Sequence, residues 1–118
     1  MHAVDLRIAL VPYEAETARM RLELRTIYID RETDQFLVDR AALRGLSKAE
    51  AFRCAVSVGI KRVRRGVTRP TLPAPTEPLL LKTPYVDPKV ADVIRAEAFD
   101  RYIPTNDVWR EYLHAGLA

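Results

Sequence analysis

The 118-residue sequence predicts an α+β, mostly helical fold in which two strand-helix-helix units of one chain pair their strands antiparallel over a four-helix core. The first observation is a repeat: LRTIYID (Leu24 to Asp30) returns as LKTPYVD (Leu81 to Asp87), with four positions identical and Arg25/Lys82 and Ile29/Val86 conservative. The second is that the register continues without a gap at an offset of 57 residues. Leu37 falls on Ile94, Ala41 on Ala98, Arg44 on Arg101, Phe52 on Trp109, Arg53 on Arg110 and Val56 on Leu113. A self-similar segment of this length is one structural unit used twice. The third is physical: a lone strand leaves its backbone groups unpaired and two amphipathic helices leave their stripes exposed. Two copies related by an approximate twofold axis solve both problems at once.

Residues 1–20 form a lead-in, in which VDLRIALVP alternates as a short strand does. LRTIYID then reads as a strand, with Ile27 and Ile29 on one face and Thr26 and Tyr28 on the other. Asp30 is placed to cap a helix from about Arg31 to Arg44, with Glu32 and Asp34 in its first turn, and Gly45 stops it. Ser47 with Glu50 three residues on makes a capping box. Behind it Phe52, Ala55, Val56, Gly59 and Ile60 recur at helical spacing and predict a core-facing stripe. Cys54, the single cysteine, has no disulfide partner and is expected to be buried among these apolar neighbours.

The segment GVTRPTLPAPTEP, with four prolines in thirteen residues, reads as a semi-extended linker over 66–78. The first unit is therefore 21–65, the second 79–118, and the whole 1–118 one domain. In the second unit Pro84 denies its strand one backbone donor, which suits a two-stranded ribbon. Asp87 and Pro88 open a helix to about Tyr102. A last helix begins at about Thr105, with Trp109, Tyr112 and Leu113 as its stripe; its cap is expected to be shifted by one, because Ser47 aligns with Pro104.

Charge is uneven. Residues 1–66 hold 13 Lys/Arg and 9 Asp/Glu, a net +4, whereas 67–118 hold 6 and 7, a net −1. The excess is concentrated in KRVRRGVTR, where Lys61, Arg62, Arg64, Arg65 and Arg69 occupy five of nine positions. Such a cluster either attracts a polyanion or is a solvated helix end whose cations complement the helix dipole. The two histidines have no ligand spacing, no glycine-rich phosphate loop occurs among four glycines, and no nucleophile stands in a recognisable setting. No metal, no cofactor and no enzymatic activity are expected. Without a long apolar run or a secretory leader pattern, no membrane association and a cytoplasmic location are expected.

The strand ending in a cap, GLSKAE at the inter-helix turn and the longer second helix together resemble the ribbon-helix-helix DNA-binding family, over about Leu22 to Arg65 and again Leu79 to Leu117. The resemblance implies a monomeric pseudodimer whose ribbon enters the major groove of double-stranded DNA. Ribbon contacts would then come from Arg25, Thr26, Tyr28, Lys82, Thr83 and Tyr85. Phosphates would be held at the starts of the second helices by Ser47, Lys48, Thr105 and Asn106, and by the basic cluster of Lys61, Arg62, Arg64 and Arg65. The fused arrangement is also similar to the virulence C family of T-DNA transfer. That likeness implies binding to an overdrive-like enhancer beside a transfer border, in company with a relaxase and a partner ATPase. A repressor or antitoxin of the same fold, and a protein-interaction module, are the competing expectations.

Overall fold

The computed structural model describes residues 21–66, 72 and 74–118. The expected N-terminal strand, much of the proline-rich segment and Arg69 lie outside the described residues. The observed class is α+β and mostly helical. In chain order the elements are β1 (Glu23–Leu24), β2 (Ile27–Ile29), α1 (Arg31–Arg44), α2 (Lys48–Arg64), β3 (Leu80–Lys82), β4 (Tyr85–Val86), α3 (Pro88–Arg101) and α4 (Thr105–Leu117).

Each expected strand is two short pieces. β1 pairs antiparallel with β4, Glu23 opposite Val86 and Leu24 opposite Tyr85; β2 pairs antiparallel with β3, Ile27 opposite Lys82 and Ile29 opposite Leu80. Between them the Arg25 N–H donates to the Pro84 carbonyl at 3.1 Å. The register therefore runs through the break without a slip, and Thr26 falls opposite Thr83. Pro84 accounts for the break, since its nitrogen has no hydrogen to return the bond.

The helices start where side chains compensate their free N–H groups. The Asp30 carboxylate accepts from the Thr33 backbone at 3.0 Å, Ser47 and Glu50 close a reciprocal capping box, and Asp87 accepts from the Lys89 N–H at 2.9 Å. α4 differs. Pro104 itself is its N-cap, aligned with Ser47 and not shifted, and it offers no side-chain acceptor. α1 and α3 end alike, with a left-handed residue whose successor bonds back into the last turn: Leu46 N–H to the Ala41 carbonyl at 2.9 Å, and Ile103 N–H to the Ala98 carbonyl at 3.1 Å. The left-handed residue is Gly45 in the first case and Tyr102, at φ 55°, in the second.

The core lies between the inner face of the strands and the crossed helices α2 and α4. Ile27, Ile29 and Val86 close it from above, Leu37 and Ile94 from the sides, and Val56, Val108, Trp109 and Leu113 from below. α2 and α4 approach until backbone meets backbone. A Cβ built on Gly59 would sit inside the Tyr112 carbonyl, and one on Gly116 inside the Ala55 carbonyl. Gly59 with Gly116, and Ala55 with Tyr112, stand 57 residues apart, so the contact is reciprocal. Phe52 and Trp109, another such pair, meet with ring centroids 5.9 Å apart.

Cys54 corrects one expectation: it is exposed. It follows the core-facing Phe52 by two residues, about 200° around the helix, and so faces away from the stripe.

Two stability changes follow. Gly59→Ala and Gly116→Ala should each cost about 2–3 kcal/mol by forcing α2 and α4 apart, read as a lower urea midpoint. Tyr102→Gly should gain about 1 kcal/mol by relieving a left-handed conformation that only glycine adopts without strain.

Candidate nucleic-acid interface

The alternation of the strands sorts their side chains into two faces. On the outer face Leu24, Thr26 and Tyr28 run against Tyr85, Thr83 and Leu81, all exposed. The tyrosines are 46% and 47% accessible although the isoleucines and Val86 beside them are sealed. Four of these six are the expected threonines and tyrosines. Leu24 and Leu81 complete the face and were missed, although their parity in LRTIYID and LKTPYVD is that of Thr26 and Thr83.

Arg25 and Lys82 lie on the other parity, half-buried, and both are engaged. Arg25 Nη2 pairs with Glu23 at 2.6 Å and its Nη1 donates to the Leu24 carbonyl at 3.0 Å. Lys82 Nζ is 3.3 Å from Asp34 Oδ1, an oxygen that Lys48 also contacts. Burial works to raise the Asp34 pKa, but hydrogen bonds and attraction from Lys48 and Lys82 outweigh it and hold the carboxyl below its ordinary value. Two of the expected phosphate or base contacts thus share one carboxylate.

The starts of α2 and α4 flank the ribbon on opposite edges. At α2 the capping box consumes the Ser47 hydroxyl and the Glu50 N–H, leaving the Lys48 and Ala49 N–H groups without intrahelical acceptors. At α4 Thr105 is exposed, but Asn106 turns inward. Its Oδ1 accepts from the Tyr28 N–H at 2.8 Å and its Nδ2 donates to the Tyr28 carbonyl at 2.9 Å. In an antiparallel pair these groups alternate in direction, and those of Tyr28 point off the ribbon's edge. The Asn106 amide takes the place of a missing third strand. On the opposite edge Arg53 Nη1 donates to the Tyr85 carbonyl at 3.1 Å. Asn106 is therefore a ribbon clamp, a role that no local sequence pattern signals.

The basic cluster lies elsewhere. From Lys48 to Lys61 the helix rises about 20 Å at 1.5 Å per residue, so the cluster sits at the far end of α2 from the ribbon. Lys61, Arg64 and Arg65 are exposed there. Arg62 is turned onto the end of α4, donating to the Ala115 carbonyl at 2.7 Å. It complements the negative pole of that helix, the alternative reading of the cluster.

Where β2 passes into α1, Asp30 gathers a polar group of its own. Its Oδ2 accepts from the Thr33 hydroxyl at 2.7 Å, and its Oδ1 lies 3.3 Å from His114 Nε2 and 3.6 Å from Nη2 of the buried Arg110. Partial burial pushes its pKa up, but the hydrogen bonds from Thr33 and His114 prevail and hold it at about 2.

Comparison with protein-family models, with curated protein sequences and with solved structures finds no match to this chain. Among the described residues no helix is long and apolar enough to cross a membrane, and no group of three or more His, Cys, Asp or Glu is placed to hold a metal ion.

The Asp30 carboxyl carries a pH signature. Its folded pKa lies below the ordinary 3.8, so it contributes stability above pH 4 that is lost as pH falls from about 4 to 2, on the order of 2 kcal/mol. Asp30→Asn should lower stability at pH 7 and flatten that acid limb, as followed by urea unfolding at successive pH values.

Proposed function

We propose that this chain is a double-stranded DNA-binding protein of ribbon-helix-helix type, a pseudodimer fused in one chain, that lays its two-stranded ribbon into the major groove. One observation carries the reading. The outward face sets Leu24, Thr26 and Tyr28 against Tyr85, Thr83 and Leu81, each residue against the repeat-equivalent of its mirror position, with a helix start on either edge. The reciprocal contacts of Gly59 with Tyr112 and of Gly116 with Ala55 support the same approximate twofold arrangement, since a self-complementary interface repeats each contact with the roles exchanged.

The chemistry of the face fits base edges. The threonines donate, accept or touch a thymine methyl, the leucines offer further apolar contact, and the tyrosine hydroxyls reach bases or backbone. The N–H groups opening α2 that have no intrahelical acceptor suit a phosphate. The edges are unequal, because α2 brings Lys48 whereas α4 has spent Asn106 on the ribbon and carries Asp107 in its first turn. Such a reader is suited to a non-palindromic site. Together with the resemblance to the virulence C family, this supports an enhancer beside a transfer border as the proposed target, and the proposed role is that of a transfer accessory factor acting alongside a relaxase and a partner ATPase.

Anisotropy titrations against a duplex carrying such an enhancer and a scrambled duplex, over a range of salt, test this. Thr26→Ala with Thr83→Ala should lower affinity for the enhancer about tenfold or more and leave the salt dependence unchanged. Asp34→Asn, which releases Lys48 and Lys82 toward phosphate, should raise affinity and steepen the salt dependence. Equal binding to both duplexes would remove the enhancer role, and insensitivity to both substitutions would remove the ribbon from the interface.

A further inference from the structure

The two halves differ in charge where the first helix of each unit ends. Arg44 and Arg101 each close a 14-residue helix, 57 residues apart. Arg101 is held by two carboxylates: its Nη1 and Nη2 bond both oxygens of Glu111 at 2.7 and 2.9 Å, and Nη1 also bonds Glu97 at 2.8 Å. Glu97 in turn accepts from the Tyr112 hydroxyl. Its guanidinium is accordingly held above its ordinary pKa.

At the corresponding place in the first half, every one of those partners has been replaced. Glu111 corresponds to Cys54, Glu97 to Arg40 and Tyr112 to Ala55. Two carboxylates and a phenol are gone, and a third cation, Arg62, arrives from the end of α2. What remains is a cavity of about 130 Å³ lined by Arg40, Arg44, Cys54, Arg62 and Gly116, with no carboxylate on its wall. Arg44 makes no hydrogen bond or ion pair to a described residue. Arg40 Nη2 donates to the Leu117 carbonyl at 3.4 Å, and Arg62 Nη1 donates both to the Ala115 carbonyl at 2.7 Å and to the Ala118 carbonyl oxygen at 2.9 Å, all at the end of α4. A guanidinium has five N–H donors, so each keeps others to offer.

We infer that this cavity is a binding site for a single oxyanion of phosphate or carboxylate type, which takes the place that the Glu111 carboxylate holds against Arg101. The end of α4 compensates Arg40 and Arg62 only in part and Arg44 not at all, so the hollow keeps an excess of positive charge, and planar guanidinium forks match an oxyanion in pairs of hydrogen bonds. The volume, against about 30 Å³ per water in the liquid, admits a phosphate-sized group with solvent. The site is formed by α1, α2 and the end of α4 and shares no residue with the ribbon face.

Titration of the ¹⁵N-labelled full chain with sodium phosphate, and separately with sodium acetate, at constant ionic strength set with chloride is the test. A saturable shift of the Arg44 Nε–Hε and Cys54 amide resonances is expected with at least one probe. The anion that saturates at lower concentration assigns the group as phosphate or carboxylate. Arg44→Ala should weaken that binding at least tenfold. Cys54→Glu, which restores the carboxylate of the second half, should do the same while melting no lower than the parent, so that loss of binding is not loss of fold. Arg65→Ala, at the C-cap of α2 and outside the cavity, should change it less than twofold. Shifts that do not saturate with either probe, binding undiminished in Cys54→Glu, or Arg65→Ala as damaging as Arg44→Ala would each overturn the site in favour of diffuse charge screening.

Discussion

Everything else in the molecule hangs on the crossing of α2 and α4. Helices carrying ordinary side chains stay about 8–10 Å apart; here Gly59 and Gly116 remove the side chains at the crossing and let backbone touch backbone. That approach brings the Phe52 and Trp109 rings together and leaves Val108 and Leu113 with no accessible surface. It also fixes the separation of the two helix starts, and so the width of the ribbon that fits between them. A wider crossing would leave Ile27, Ile29 and Val86 without a floor.

The strands contribute little of their own to this scaffold. Two pairings of two and three residues are too short to stand alone, and their outer edges expose backbone groups that nothing in the sheet can satisfy. The helices supply what is missing through the Asn106 amide on one edge and the Arg53 guanidinium on the other. These two solutions are not the same residue reused, since Asn106 corresponds to Ala49, and Arg53 to Arg110, which instead turns toward Asp30. The halves share a backbone plan and differ in the polar groups that tie it down.

Much of that plan is legible in the sequence because it is written in local chemistry. Asp30, Ser47 with Glu50, and Asp87 announce helix starts within a residue; Gly45 announces an end; the stripe of Phe52, Ala55, Val56, Gly59 and Ile60 announces a buried face, and all five are buried. The strand parity likewise separates Ile27 and Ile29 from Thr26 and Tyr28. What escapes is whatever depends on a partner distant in the chain. Asn106 reads as an exposed first-turn residue until Tyr28, 78 positions away, is seen beneath it. Arg62 reads as one more member of a basic run until the end of α4 is seen to meet it. Cys54 reads as buried from its apolar neighbours in sequence, but the helix turns it to the outside. Pro104 illustrates a different limit: a missing cap was misread as a displaced one, because the pattern of capping residues says where a helix can begin and not where it must.

The break at Thr83–Pro84 and the reciprocal contacts across the core belong to one covalent chain, and this has a consequence in mass action. Two separate units of this kind would hold together only above a concentration set by their affinity, and would come apart on dilution. Joined end to end, each half meets the other at an effective concentration in the millimolar range, whatever the number of molecules present. The contact between the halves is then the same at a handful of copies per cell as at thousands.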